Sequence, residues 1–116
     1  MKILRMVLTD HWFDEIKSGR KTHEYRIFSK YWIRRLTFDF SVDSFAPLSP
    51  FFRTECIDYR FRLKPYEVIE FQKAYRKNPE RMMFRVKNIT LKMSGVNTDL
   101  KCEAPVFDIE LGERIK

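Results

Sequence analysis

Residues 10–28 leave this chain the least conformational freedom. Thr9 or Asp10 is a good N-cap for a helix over 10–18, whose apolar stripe is Trp12, Phe13 and Ile16. Gly19 stops that helix, because glycine readily takes the left-handed conformation that closes a last turn. A basic turn, Arg20-Lys21-Thr22, follows. Residues 23–28 then alternate as a strand, with His23, Tyr25 and Ile27 on one face and Glu24, Arg26 and Phe28 on the other. Strand rise separates Glu24 from Arg26 by roughly 6.5–7 Å along that face, and Lys21 stands at its mouth.

The remaining pattern is strand-rich. Residues 3–8 present Leu4, Met6 and Leu8 on one face and Ile3 and Val7 on the other, which predicts a strand in a central sheet position. Ser29 caps a second helix over 30–36 with Trp32, Ile33 and Leu36 as its buried edge. Trp12 and Trp32 are both spaced like core anchors. Strands are predicted over 66–71, 81–91 and 105–111. In the last of these, Phe107, Ile109 and Leu111 point inward, and Asp108 and Glu110 outward. Residues 37–63 hold Pro47, Pro50, three serines and the pair Phe51-Phe52, and 56–63 alternate well enough for an extra strand. This stretch reads as an inserted segment with partial structure over one end of the sheet. Few helices, placed early, and many strands predict an α+β fold: a small mixed β-barrel with two short helices at its side, in a single domain over 1–116. Eleven phenylalanines supply its core.

Net charge is +7, and it is unevenly placed. Residues 1–36 carry nine basic against four acidic residues, 37–63 three against four, and 64–116 eleven against eight. Two basic segments flanking a neutral one favour phosphate-bearing partners, so RNA or a nucleotide is the expected ligand. Cys56 and Cys102 lie 46 positions apart with no metal-type spacing, which predicts two free thiols in a reducing, cytoplasmic setting. The start MKILRMVL is short and carries Arg5, so no secretory leader is expected. No run of about 20 apolar residues predicts a membrane span. The two histidines, His11 and His23, predict no metal site, and no motif predicts a cofactor.

Two constellations carry candidate chemistry. Lys21, Glu24 and Arg26 join a point cation, a carboxylate and a planar fork. They suit a phosphate or carbonyl edge on the cations and a base amine on Glu24. If the chain is an enzyme, Lys21 and Glu24 are its candidate nucleophile and acid/base. The competing reading is an exposed ion pair. The second constellation is the strand end 71–78, where Gln72 is placed to read a base edge, Tyr75 to stack, and Lys73, Arg76 and Lys77 to meet phosphates. The alternative there is a solvated loop whose Tyr75 covers the core.

The run W-F-D-x-I-x-S-G-x-K-x-x-E-Y-R, Trp12 to Arg26, resembles the ASCH domain family of the PUA-like superfamily, in its small bacterial and phage members. Residues 1–4 resemble the first strand, and Tyr31-Trp32 and Arg35-Leu36 the helix that follows. Phe71 to Tyr75 looks like the strand-end F-x-N-G-Y with Lys73-Ala74 in place of Asn-Gly, and 106–112 looks like the closing strand. The resemblance covers about 1–36 and 66–114. It implies a PUA-like barrel with a cleft beside 19–26 and an RNA-binding role. Some relatives are amidohydrolases that deacetylate N4-acetylcytidine, using a lysine at the Lys21 position, a threonine at the Glu24 position and a strand glutamate, for which Glu67 and Glu70 are the candidates. Ribonuclease activity has also been suggested for members. Here Glu24 replaces the threonine, so a binding module is favoured over a hydrolase. Residues 37–63 match nothing in the family and are the expected surface for any protein partner.

Overall fold

The structure, a computed structural model, describes residues 2–38 and 62–116. Hydrophobic period sets its elements: β1 (Ile3–Leu8), α1 (Asp10–Lys17), β2 (His23–Ile27), α2 (Lys30–Leu36), β3 (Thr37–Phe38), β4 (Arg62–Leu63), β5 (Val68–Lys73), β6 (Arg81–Lys92) and β7 (Val106–Arg114). The fold is α+β. A five-stranded sheet is ordered β1-β5-β6-β7-β2, and β3 pairs with β4 in a two-stranded ladder. β1 and β5 run parallel from Ile3↔Val68 to Leu8↔Lys73, whereas β5 and β6 are antiparallel, so the sheet is mixed. β1 is at the end of this order, not in the middle. Apolar residues on both faces report cover above and below a strand, and say nothing about neighbours on both sides.

Chain contacts divide into two compact units, 1–24 with 65–89 and 108–116, and 25–64 with 90–107. In the first unit, Leu4, Met6 and Leu8 of β1 and Ile69 and Phe71 of β5 are buried, as are Phe13 and Ile16 of α1. Burying each of these larger side chains stabilises by about 1.5–3 kcal/mol. In the second unit, Ile33 and Leu36 of α2 are buried, and Phe28 meets Phe107 at 5.3 Å between ring centroids.

The helix ends differ. Thr9 is the N-cap of α1 in extended conformation, without a side-chain cap bond, and Gly19 beyond its end has φ +85. Ser29 Oγ accepts from the Trp32 N–H at the start of α2. The expected strand over 66–71 begins and ends two residues later. Asp108 is buried rather than outward-facing and open, because it accepts a partner from β2. The inserted segment and most of its expected strand fall outside the described residues, as does Cys56. Cys102 is a free thiol. No helix among the described residues is long and apolar enough to cross a membrane.

Candidate nucleic-acid interface

The turn after α1 is tied to the helix by the Lys21 N–H donating to the Glu15 carbonyl at 3.1 Å. That bond aims the Lys21 side chain along α1. Its Nζ lies 4.3 Å from the centroid of the Trp12 ring and donates to Glu24 Oε1 at 2.8 Å. The Lys21 and Glu24 side chains are 12% and 5% exposed, so this is a largely desolvated pair and not the open surface ion pair that spacing alone allows. Trp12 is half-buried, a platform for the ammonium and not a core anchor; Phe13 and Ile16 hold the core positions of α1. One strand residue from Glu24, His23 Nδ1 lies 2.7 Å from Asp108 Oδ1 on β7. With Asp108 ionised, that nitrogen is the donor. Sequence reading missed this pair, since a partner 85 positions away leaves no local signal.

Arg26 belongs to the second unit, where its guanidinium carbon is 5.1 Å from the Trp32 ring centroid. The structure thus joins Lys21 to Glu24 and seats Arg26 on an indole.

The second constellation is the turn joining β5 to β6. Ala74 has φ 57 and Asn78 φ 54, so two non-glycine residues of the turn take the left-handed conformation. The Lys73 N–H donates to the Glu80 carbonyl and the Ala74 N–H to the Leu8 carbonyl, closing the turn onto β1. Gln72 spends its amide inside the chain: Nε2 donates to the Ala74 carbonyl at 2.8 Å, and Oε1 accepts from Arg81 at 3.3 Å. Tyr75 is 88% exposed, which excludes the reading that it covers the core.

The turn is clipped to α1 by charge. Lys73 Nζ donates to Asp14 at 3.0 Å, Arg76 pairs with Asp10, and Lys17 donates to Glu80 at 2.5 Å. Asp10, Asp14 and Lys17 form one helical stripe at i, i+4, i+7, a signal present in the sequence but visible only once the opposing turn is known. Hydrogen bonding to Asp14 raises the pKa of Lys73 above its ordinary 10.5. Lys17 lowers the Glu80 carboxyl, and Arg20, donating to Glu15 at 3.0 and 3.2 Å, lowers that one. α1 therefore carries Trp12 under Lys21 on one flank and the clip to the Tyr75 turn on another.

Glu70, a candidate strand glutamate, lies between Arg5 at 3.6 Å and Arg81 at 3.9 Å, beside a pocket of about 180 Å³ completed by Met82, Met83 and Lys116. Glu67, the other candidate, is exposed and precedes β5. Among the described residues no three His, Cys, Asp or Glu side chains cluster as metal ligands. Compared with known proteins, the chain matches no family model, no curated protein and no solved structure.

Proposed function

We propose that the chain is a binding module for single-stranded RNA or a nucleotide, with closure of its sheet into a PUA-like barrel as the finer form of the fold. The observation that carries this reading is Tyr75, an aromatic ring 88% exposed on a turn bracketed by two left-handed residues and flanked by Lys73, Arg76 and Lys77. A ring with no core duty, held on a short stiff turn among cations, is what a stacked base requires. Lys21 supplies a desolvated cation for a phosphate or base carbonyl, and Glu24 an acceptor for a base amine.

The test is fluorescence anisotropy with a 5′-labelled 12-nucleotide RNA of mixed sequence across a salt series. Stacking is worth about 1–3 kcal/mol per base, so Tyr75→Ala is expected to weaken binding roughly tenfold or more at constant salt slope. Lys77→Glu is expected to weaken it and flatten the slope. The paired change Lys21→Met with Glu24→Gln avoids stranding a lone charge and is expected to lower affinity further. No saturable RNA binding by the wild type at low salt, or equal affinity for all three variants, rejects the reading. Release of acetate from N4-acetylcytidine by the wild type, lost in Lys21→Met, would replace it with the hydrolase.

A further inference from the structure

One face of the β5–β6 hairpin carries a small polar pocket that the Lys21 pair and the Tyr75 turn do not include. Ile69 and Phe71 are buried and Lys73 reaches α1, so Glu70 and Gln72, which alternate with them, lie on the opposite face. In register, Glu70 stands across from Met83 and Gln72 across from Arg81. The pocket of about 180 Å³ is lined by Glu70, Arg81, Met82, Met83 and Lys116, all in the first compact unit. Its wall is fixed where the Met83 N–H donates to the Lys116 carbonyl at 3.0 Å. Its arginine is oriented from the turn. Arg81 Nη2 donates to Gln72 Oε1 at 3.3 Å, and Gln72 Nε2 donates in turn to the Ala74 carbonyl at 2.8 Å. The Glu70 side chain is 22% exposed, with Arg5 Nε and Arg81 Nε at 3.6 and 3.9 Å from its Oε1. Those separations are charge attraction beyond hydrogen-bond length. Among the described residues no hydrogen bond reaches the Glu70 carboxylate, Arg81 Nη1 or the Lys116 ammonium.

The walls decide what fits. A carboxylate whose two oxygens hold no hydrogen bond takes two N–H donors set side by side. Arg5, Arg81 and Lys116 outnumber that carboxylate three to one, so the site repels an ammonium and the donors must belong to a neutral group. The Arg81 fork and the Lys116 ammonium require acceptors on the ligand's adjoining edge. The volume equals that of roughly six waters at about 30 Å³ each, room for a single planar ring system. The thioethers of Met82 and Met83 suit its aromatic face. Of the four RNA bases only guanine sets two donors together, N1–H and the N2 amine, with the acceptors O6 and N7 beside them. Adenine and cytosine place a ring acceptor next to their one amine, and uracil has one N–H between two carbonyls, so each turns a lone pair toward the carboxylate. We infer that this pocket takes a guanine base, with Glu70 accepting from N1–H and the N2 amine and Arg81 and Lys116 donating to O6 and N7. Glu70 precedes Tyr75 by five residues, at most about 17 Å of strand, so one short RNA reaches both. This rests on the reading of the chain as an RNA or nucleotide binder and adds base selectivity to it.

The experiment uses the whole chain, fluorescence anisotropy and three 5′-labelled 12-nucleotide RNAs. One is all uridine, one has a single central guanosine, and one has inosine at that place, which keeps N1–H, O6 and N7 but lacks the N2 amine. Wild type is expected to bind the guanosine RNA about tenfold tighter than the uridine RNA, and inosine to forfeit most of that advantage. Glu70→Gln, which sets a donor beside its one acceptor, is expected to abolish the preference, and Arg81→Ala to reduce it severalfold, with folding checked by circular dichroism. Tyr75→Ala is expected to weaken all three RNAs alike and leave the preference intact. Equal wild-type affinity for the guanosine and uridine RNAs, inosine binding as well as guanosine, or a preference that survives in Glu70→Gln overturns the guanine pocket while the RNA reading stands. The inosine comparison is made on the wild type, so it decides even where a variant fails to fold. Binding of none of the three RNAs overturns both readings.

Discussion

The two helices are nearly equal in length and opposite in how they use charge. α1 sets Asp10, Asp14 and Glu15 against Arg76, Lys73 and Arg20, so its carboxylates and the cations around it are spent on one another. α2 has no carboxylate, and its neighbourhood seats arginines on rings instead. The ionic clip of the acidic α1 is architecture, whereas α2 carries Lys30 and Arg34 on its exposed side. A positive total thus says less about ligand binding than the partners each cation already holds.

The largest expected effect concerns the pair sheltered beside α1. Glu24→Ala leaves the Lys21 ammonium largely buried without that acceptor and is expected to cost about 3 kcal/mol in urea unfolding, while Lys21→Met with Glu24→Leu should recover most of it. A loss below about 1 kcal/mol for Glu24→Ala would put this pair with the surface clip. Next, the caps separate the helices. Ser29→Ala is expected to destabilise by about 1 kcal/mol, and Thr9→Ala, whose side chain makes no cap bond, by a few tenths. Equal losses in thermal melts would erase that distinction.

Smaller still is the clip. Asp10→Ala with Asp14→Ala should cost no more than about 1 kcal/mol per exposed pair. It should also raise RNA affinity severalfold, because Lys73 and Arg76 then face phosphate without a carboxylate competitor. Lower affinity would show that the clip positions the Tyr75 turn. Finally, Glu80 and Glu15 have lowered carboxyl pKa values in the folded chain. The unfolded state therefore holds more protons between the folded and unfolded values. Their stabilisation is complete above the ordinary value of 4.5 and lost as pH falls through the lower folded value. Lys73, raised above 10.5, contributes fully below that value and loses its contribution as pH rises through the folded one. Protection factors of the β5–β6 turn amides, corrected for the intrinsic pH dependence of exchange, should fall at both extremes, and a flat protection profile would mean that the clip does not hold the turn.

Local pattern carried most of the fold. The cap at Ser29, the stop at Gly19, the alternation in β6 and the 3.6 period of both helices depend on residues within a few positions of one another, and they read correctly. The candidate site was legible only where its members are close in the chain: Lys21 and Glu24 meet as their spacing of three suggested. What sequence could not supply was long-range. The partners of His23, Lys73 and Arg76 lie 85, 59 and 66 positions away. The edge position of β1 depends on which strands pair, not on its own residues. Both tryptophans were read as core because an indole at helical spacing looks the same whether it covers apolar atoms or carries a cation.

The parallel pairing of β1 with β5 also has a kinetic side. Ile3 finds Val68 only after 65 positions of chain have been brought back upon themselves. Closing such a loop costs about 4 kcal/mol of chain entropy before any ladder bond compensates. During synthesis β1 emerges before β5 and waits for its mate with an apolar face exposed. Refolding should therefore be paced by this late docking.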